Sequence, residues 1–178
     1  MSIVFEGSLW SRFEMLTLCA VLAAACVTDL RTRRIPNGLA LTGLVTGVGF
    51  ALIDGGMRGM TSSIGGAVTG LCIWLPFWLL HLMGGGDVKL FAAGAAWLGP
   101  GGAVEAAMLA GLFGGVLSLL YVLQRYGVTH TLYRLAFGLH HPQLMREPAP
   151  AEWNRHMPYA LAIAAGLAGA AYRPGLLL

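Results

Sequence analysis

Ser62–Leu90 reads SSIGGAVTGLCIWLPFWLLHLM followed by GGGDVKL. The first part, residues 62–83, carries no Asp, Glu, Lys or Arg, and three glycines then lead directly to Asp87 and Lys89. As a helix that run rises about 33 Å, enough to cross the hydrocarbon of a bilayer. An apolar run that ends on an acid raises two questions at once: how the chain sits in lipid, and what an acid does at that edge.

Further apolar segments fall at 13–28, 38–53, 88–98, 103–123 and 157–173, separated by short polar or Gly/Pro-rich breaks. Six helical spans is the simplest count, so the expected fold is all-α, a polytopic membrane helical bundle of about six transmembrane helices in a single domain over 1–178. The segment at 88–98 is short for a crossing. Either residues 84–87 extend it, or it forms a partly inserted hairpin with the segment at 103–123 across Gly99-Pro-Gly-Gly102.

Composition points to the same solvent. Of the 178 residues, 57% are hydrophobic and 11% charged, against roughly 25% charged in an average soluble domain. The 26 glycines suit close helix approach in a membrane, and Gly43-x-x-x-Gly47, Gly66-x-x-x-Gly70 and Gly111-x-x-x-Gly115 have the packing spacing. Cys19, Cys26 and Cys72 lie in apolar runs without a Cys-x-x-Cys pair or a histidine set, which argues against a zinc module. They read as small buried apolar residues. Glu6, Arg12 and Glu14 stand where a cleavable signal would place its positive region, and arginines follow the first apolar run, so that run reads as a retained span.

The formal net charge of +3 is explained by topology, and no nucleic-acid partner follows from it. With the N-terminus outside, the inner loops hold Arg31, Arg33, Arg34, Lys89, Arg125, Arg134, Arg146 and Arg155, and the outer side holds Arg12, Arg58 and Arg173. Eight against three favours N-out and C-out, with 29–37, 84–89 and the long loop 124–156 in the cytoplasm. Part of that loop has the composition of an amphipathic surface segment.

Eight carboxylates are present. Asp29 and Asp87 fall where apolar segments meet the cytoplasmic side, at the same depth, and an acid near hydrocarbon is a functional candidate by default. Glu6, Glu14, Asp54, Glu105, Glu147 and Glu152 read as ordinary solvated acids. Two carboxyls in a poorly solvated site share one proton over a range of pH. The ionised member can take a proton from water attacking a peptide carbonyl, while the protonated member polarises that carbonyl. This chemistry calls for no metal and no cofactor. Gly84 and Gly86 leave room beside Asp87 for a tight turn or an approaching backbone. Pro36 can start the helix after Asp29, and Asn37 can cap or turn the chain there. Lys89, two residues after Asp87, points to a different side of a helix and serves as an orientation-setting lysine or as active-site support. The five histidines form no spacing that suggests chemistry.

Asp29-x5-Ile-Pro-Asn37 after the first span, together with Gly84-x-Gly-Asp-x-Lys89 after a later one, resembles the prepilin peptidases, a family of GxGD intramembrane aspartyl proteases. The resemblance implies that Asp29 and Asp87 are the catalytic pair. It also implies a substrate: a type IV prepilin or pseudopilin with a short leader and a hydrophobic helix, cut at the cytoplasmic membrane face. Pro158-Tyr-Ala160 is similar to a segment of the same family. Bifunctional members carry an added region with two Cys-x-x-Cys pairs and N-methylate the mature pilin. That region is absent from this sequence, so the likeness is to the short peptidases of Flp-type or tight-adherence pilus systems, and cleavage without methylation is expected. Presenilin-like proteases share the Gly-x-Gly-Asp motif, but there a tyrosine precedes the first aspartate, where this chain has Thr28. Outside proteolysis, the alternatives are a small proton- or cation-coupled transporter and a non-catalytic pilus-assembly scaffold.

Overall fold

A computed structural model describes residues 9–32, 34–126 and 159–172. These residues form five helices and no strand: α1 (Leu9–Thr32), α2 (Asn37–Leu79), α3 (Gly85–Ala95), α4 (Gly99–Tyr126) and α5 (Tyr159–Tyr172). Arg12–Thr32, Asn37–Leu79 and Gly99–Leu120 are long and apolar enough to cross a membrane. Their outward faces carry exposed Leu16, Leu41, Val45, Leu112 and Leu120. Lipid accepts such a surface, whereas soluble monomers rarely expose large contiguous apolar patches. The chain is an all-α integral membrane protein.

Although helical almost throughout, α2 is a hairpin, and it covers two of the six apolar segments. Gly56 adopts φ 58° and ψ −144°, a conformation that glycine reaches without the Cβ clash other residues meet. The chain reverses there. A Cβ at Gly43 would lie 3.5 Å from Ala93 Cβ, and one at Gly70 would lie 2.8 Å from Ala95 Cβ. In a straight helix Gly43 and Gly70 would stand about 40 Å apart, yet both lie against the same turn of α3. One step further out, Gly47 faces Trp97 while Gly66 faces Ala95 and Gly99. The limbs 37–55 and 57–79 therefore run antiparallel, with their glycines pressed onto α3 and the turn after it.

The short α3 is the centre of the bundle. Val88, Leu90, Phe91, Ala93 and Ala95 are all buried, which a helix achieves on nearly every side only when other helices surround it. Its 11 residues span about 16 Å, so it does not need to meet lipid along a full crossing. Entry to α3 follows a defined stop of α2. His81 takes φ 57°, its N–H bonds Trp78 O, and Leu82 N–H bonds Phe77 O, the double bond of a Schellman ending with histidine in the left-handed position. On the far side, Gly166 of α5 sits against α4, where a Cβ would lie 2.6 Å from Ala110 N and 2.7 Å from Ala106 O.

Helical register overturns several expectations. Glu14 and Glu105 are not solvated: both are buried. Glu14 falls on the stripe of α1 shared with Leu18, Leu22 and Ala25, and its side chain hydrogen-bonds Asp54 near the hairpin tip. Glu105 lies on the inward face of α4 with Ala106, Leu109 and Ala110. Closeness to a polar break in sequence misses this, because the facing of a helix decides burial. Conversely, Cys19 and Cys72 are exposed and only Cys26 is partly buried, since apolar outward positions are tolerated in lipid. Gly111 and Gly115, unlike the other two spaced pairs, meet nothing within 4 Å. Of the predicted loop 124–156, residues 127–156 lie outside the described residues, as do Arg33 and Pro158.

Candidate active site

Asp29 and Asp87 come from segments 29–37 and 84–89, which the fold brings to one end of the bundle. The C-terminus of α1, both ends of the α2 hairpin and the N-termini of α3 and α5 meet there.

Asp29 lies in the last turn of α1, half-buried. Its Oδ2 accepts a hydrogen bond from the backbone N–H of Ala160, 3.4 Å away. That donor is free because the first N–H groups of a helix have no partner within it, and the positive end of α5 favours a carboxylate. One turn earlier on α1, the Cys26 thiol donates to the carbonyl of the same residue, Ala160, at 3.6 Å. Ala160 is thus held at both its N–H and its C=O by the face of α1 that carries Asp29.

Asp87 opens α3. Gly84 is the N-cap, with extended backbone and no side chain to offer, and its N–H bonds the Asp87 carboxylate. This is the reciprocal half of a capping box, in which the third helical residue reaches back to the cap. The glycines of the motif have separate tasks. A Cβ at Gly84 would stand 3.1 Å from Asp87 Oδ2, and one at Gly86 would stand 3.2 Å from Ile35 Cβ. Gly84 gives the carboxylate access to the backbone, and Gly86 lets the extended link before α2 pack onto α3.

Pro36 occupies the N-cap of α2 with φ −61°, and its carbonyl accepts from Leu39 N at 3.0 Å. Asn37 does not cap with its side chain. Its Oδ1 accepts a hydrogen bond from Lys89 Nζ at 3.1 Å. Lys89 therefore turns away from Asp87, as its spacing requires, and ties the two motifs together across 52 residues. All seven predicted site residues, Asp29, Pro36, Asn37, Gly84, Gly86, Asp87 and Lys89, lie at this end of the bundle.

Asp87 stands outside the three long spans. Burial pushes its carboxyl up to about 6, the charge of Asp29 adds to the rise, and the Gly84 N–H opposes it. The charge of Asp29 thus reaches Asp87. Asp29→Asn is expected to move the Asp87 midpoint downward, because the neighbouring negative charge is gone. The midpoint should stay above the ordinary value of 3.8, because burial, the larger cause, persists. Carboxyl infrared absorption followed against pH measures this; an unchanged or higher midpoint would show that the two acids do not share a site.

Of three further side chains at this end, Trp74 and Cys26 have no part in the motif reading, and Tyr159 enters it only within Pro158-Tyr-Ala160. Trp74, on the second limb of α2, packs against Phe91 at 5.3 Å and edge-on to Tyr159 at 6.0 Å between centroids. The Tyr159 hydroxyl abuts α4 where Gly114 leaves room. Cys26 completes the set. Helical spacing from Asp29 could have marked Cys26, and the segment Pro158-Tyr-Ala160 already pointed to Tyr159, but Trp74 is brought in only by packing. Among the described residues no group of three or more His, Cys, Asp or Glu is placed to hold a metal.

The sequence profile of the type IV leader peptidase family matches residues 16–119, a stretch that includes both aspartates. The chain is similar to a prepilin leader peptidase/N-methyltransferase of Dickeya chrysanthemi, 33% identical over 149 residues, or 78% of this chain and 52% of that protein. Proteins of the same name from Xanthomonas campestris pv. campestris and Aeromonas hydrophila are 29% identical over 119 residues and 33% over 123. These cover 64% and 65% of this chain and 42% of each relative. The chain thus spans about half the length of the curated relatives it matches. No solved structure matches it. With two separately encoded acids meeting at one end of a helical membrane bundle, and the family profile running through both, the chain belongs to the type IV leader peptidase family.

Proposed function

We propose that this chain, as one membrane domain, is an aspartic endopeptidase that removes the short leader of type IV prepilins or pseudopilins of the Flp-like kind. In this reading it lies in a bacterial inner membrane, N-out and C-out, and cuts at the cytoplasmic face. The observation that carries it is the convergence of Asp29 and Asp87 from motifs 58 positions apart, with Asp87 within reach of the Asp29 charge. The exposed Arg31, Arg34 and Lys89 at the same end support the cytoplasmic placement, since retained loops are rich in Lys and Arg.

In the reaction, one carboxylate takes a proton from water as its oxygen adds to the scissile carbonyl carbon. The other, protonated, carboxyl donates to the carbonyl oxygen. Collapse of the tetrahedral intermediate breaks the C–N bond, and a proton passes to the leaving amine. The Ala160 N–H orients Asp29 for this work, and the Gly84 N–H orients Asp87. Gly84 and Gly86 keep the backbone close, while the Lys89–Asn37 bond holds α3 to the start of α2.

The test is the purified full chain in detergent with a Flp-like prepilin, read by intact mass. Loss of the leader alone is expected, at a rate far above that of the prepilin without the chain. An unchanged substrate mass with well-folded protein overturns the peptidase reading and favours a transporter or scaffold.

A further inference from the structure

Among the described residues, two buried side chains carry a polar atom without a hydrogen-bond partner: Ser63 Oγ and Trp74 Nε1. Ser63 lies three helical turns from Trp74, toward the hairpin tip. Trp74 is different, because its ring packs on residues next to the acid pair in chain or helix. It is 5% exposed. Its ring packs on Phe91, one turn beyond Asp87 on the same face of α3, and on Tyr159, the neighbour of the residue that holds Asp29. A buried indole N–H can only donate, and one left unpaired calls for an explanation.

We propose that Trp74 is a substrate-binding residue whose Nε1–H donates a hydrogen bond to a backbone carbonyl oxygen of the bound peptide near the cut bond. The inference rests on the peptidase reading and adds to it a contact that neither motif contains. The acceptor follows from charge and from repeat. With Asp87 and Asp29 at the same end of the bundle, an anionic acceptor would be repelled, whereas a neutral carbonyl is not. An extended peptide presents one carbonyl every 3.3 Å or so, so a chain lying across the aspartates brings one to a fixed donor beside them. Entry is from the side of Phe77. Of the three rings on Trp74, Phe91 is fully buried and Tyr159 half-buried, but Phe77 is exposed, so its ring can turn aside without opening the core.

Trp74→Phe keeps an aromatic ring and removes the N–H. A purely structural role predicts unchanged cleavage, with the unfolding temperature lowered by the cavity that the smaller ring leaves and partly restored by loss of the unpaired donor. The proposal predicts the same stability behaviour with a fall in kcat/KM of roughly tenfold or more, as expected when a site built to pair with the substrate loses its donor. Cleavage of prepilin by the full chain in detergent is measured beside the parent and Asp87→Asn. If Trp74→Phe extracts poorly, replacing Trp74 by its benzothiophene isostere removes only the N–H and keeps the ring's shape. Cleavage within twofold of the parent, by whichever of the two is folded, overturns the inference and leaves the peptidase reading standing. A parent that does not cleave at all overturns that reading first, and this one with it.

Discussion

Asp29→Asn and Asp87→Asn are each expected to abolish leader cleavage, with a loss of about 10²–10⁴-fold. An amide can neither take the proton from water nor hold the proton that the pair shares. The double variant should be hardly worse than either single one, because groups that act as a unit are grossly non-additive. Losses that multiply would point to independent roles. The fold should survive in all three proteins: Asn is nearly isosteric with Asp, and the Ala160 and Gly84 N–H groups keep an oxygen to donate to. Intact-mass assay of the prepilin gives activity, and the detergent-extracted size of the variant gives folding. A well-folded single variant that retains substantial cleavage would remove the two-aspartate mechanism.

Leucine at Gly66 or Gly166 is expected to be the most damaging change to the fold. At Gly66 a Cβ alone runs into the Ala95 carbonyl and Gly99, and at Gly166 it meets Ala106 O and Ala110 N. These are backbone atoms, which cannot rotate away as a side chain end can. Overpacking of a close-packed core costs about 1–3 kcal/mol even where side chains give. A helix pair forced apart should reach the upper end of that range, lowering the apparent Tm by roughly 10 °C or leaving no monodisperse protein. Gly111→Leu and Gly115→Leu provide the contrast, since both positions face open space and leucine is the better helix former. Thermal unfolding of the four variants in one detergent checks the difference. Equal tolerance at Gly66 and Gly111 would show that the hairpin does not press its glycines onto α3.

Some of this was legible because it depends on local chemistry. Runs such as 62–83, with no Asp, Glu, Lys or Arg, can satisfy their backbone in lipid only as helices, so fold class follows from composition and length. Asp29 and Asp87 stand out because an acid at the edge of such a run is costly. Lys89 could be turned away from Asp87 by helical spacing alone, and its bond to Asn37 agrees with that.

Other features depend on which faces meet, and no single segment encodes them. That Glu14 and Glu105 are buried reflects the rotation of α1 and α4 about their axes, which their neighbours set. That Gly43 and Gly70 share one turn of α3 follows from the reversal at Gly56, a backbone state that glycine permits but does not require. Tyr159 and Ala160 reach the aspartates from 130 residues beyond Asp29, because packing of α5 on α4 places its N-terminus beside the end of α1. The sequence by itself determined the solvent, the helical class and the two acids, since each rests on the burial cost of individual groups. Only the tertiary structure decided which acids stay solvated, how α2 folds back, and that Trp74 and the start of α5 join the aspartates. Those outcomes are set by contacts between distant helices, where close approach of small residues governs the packing.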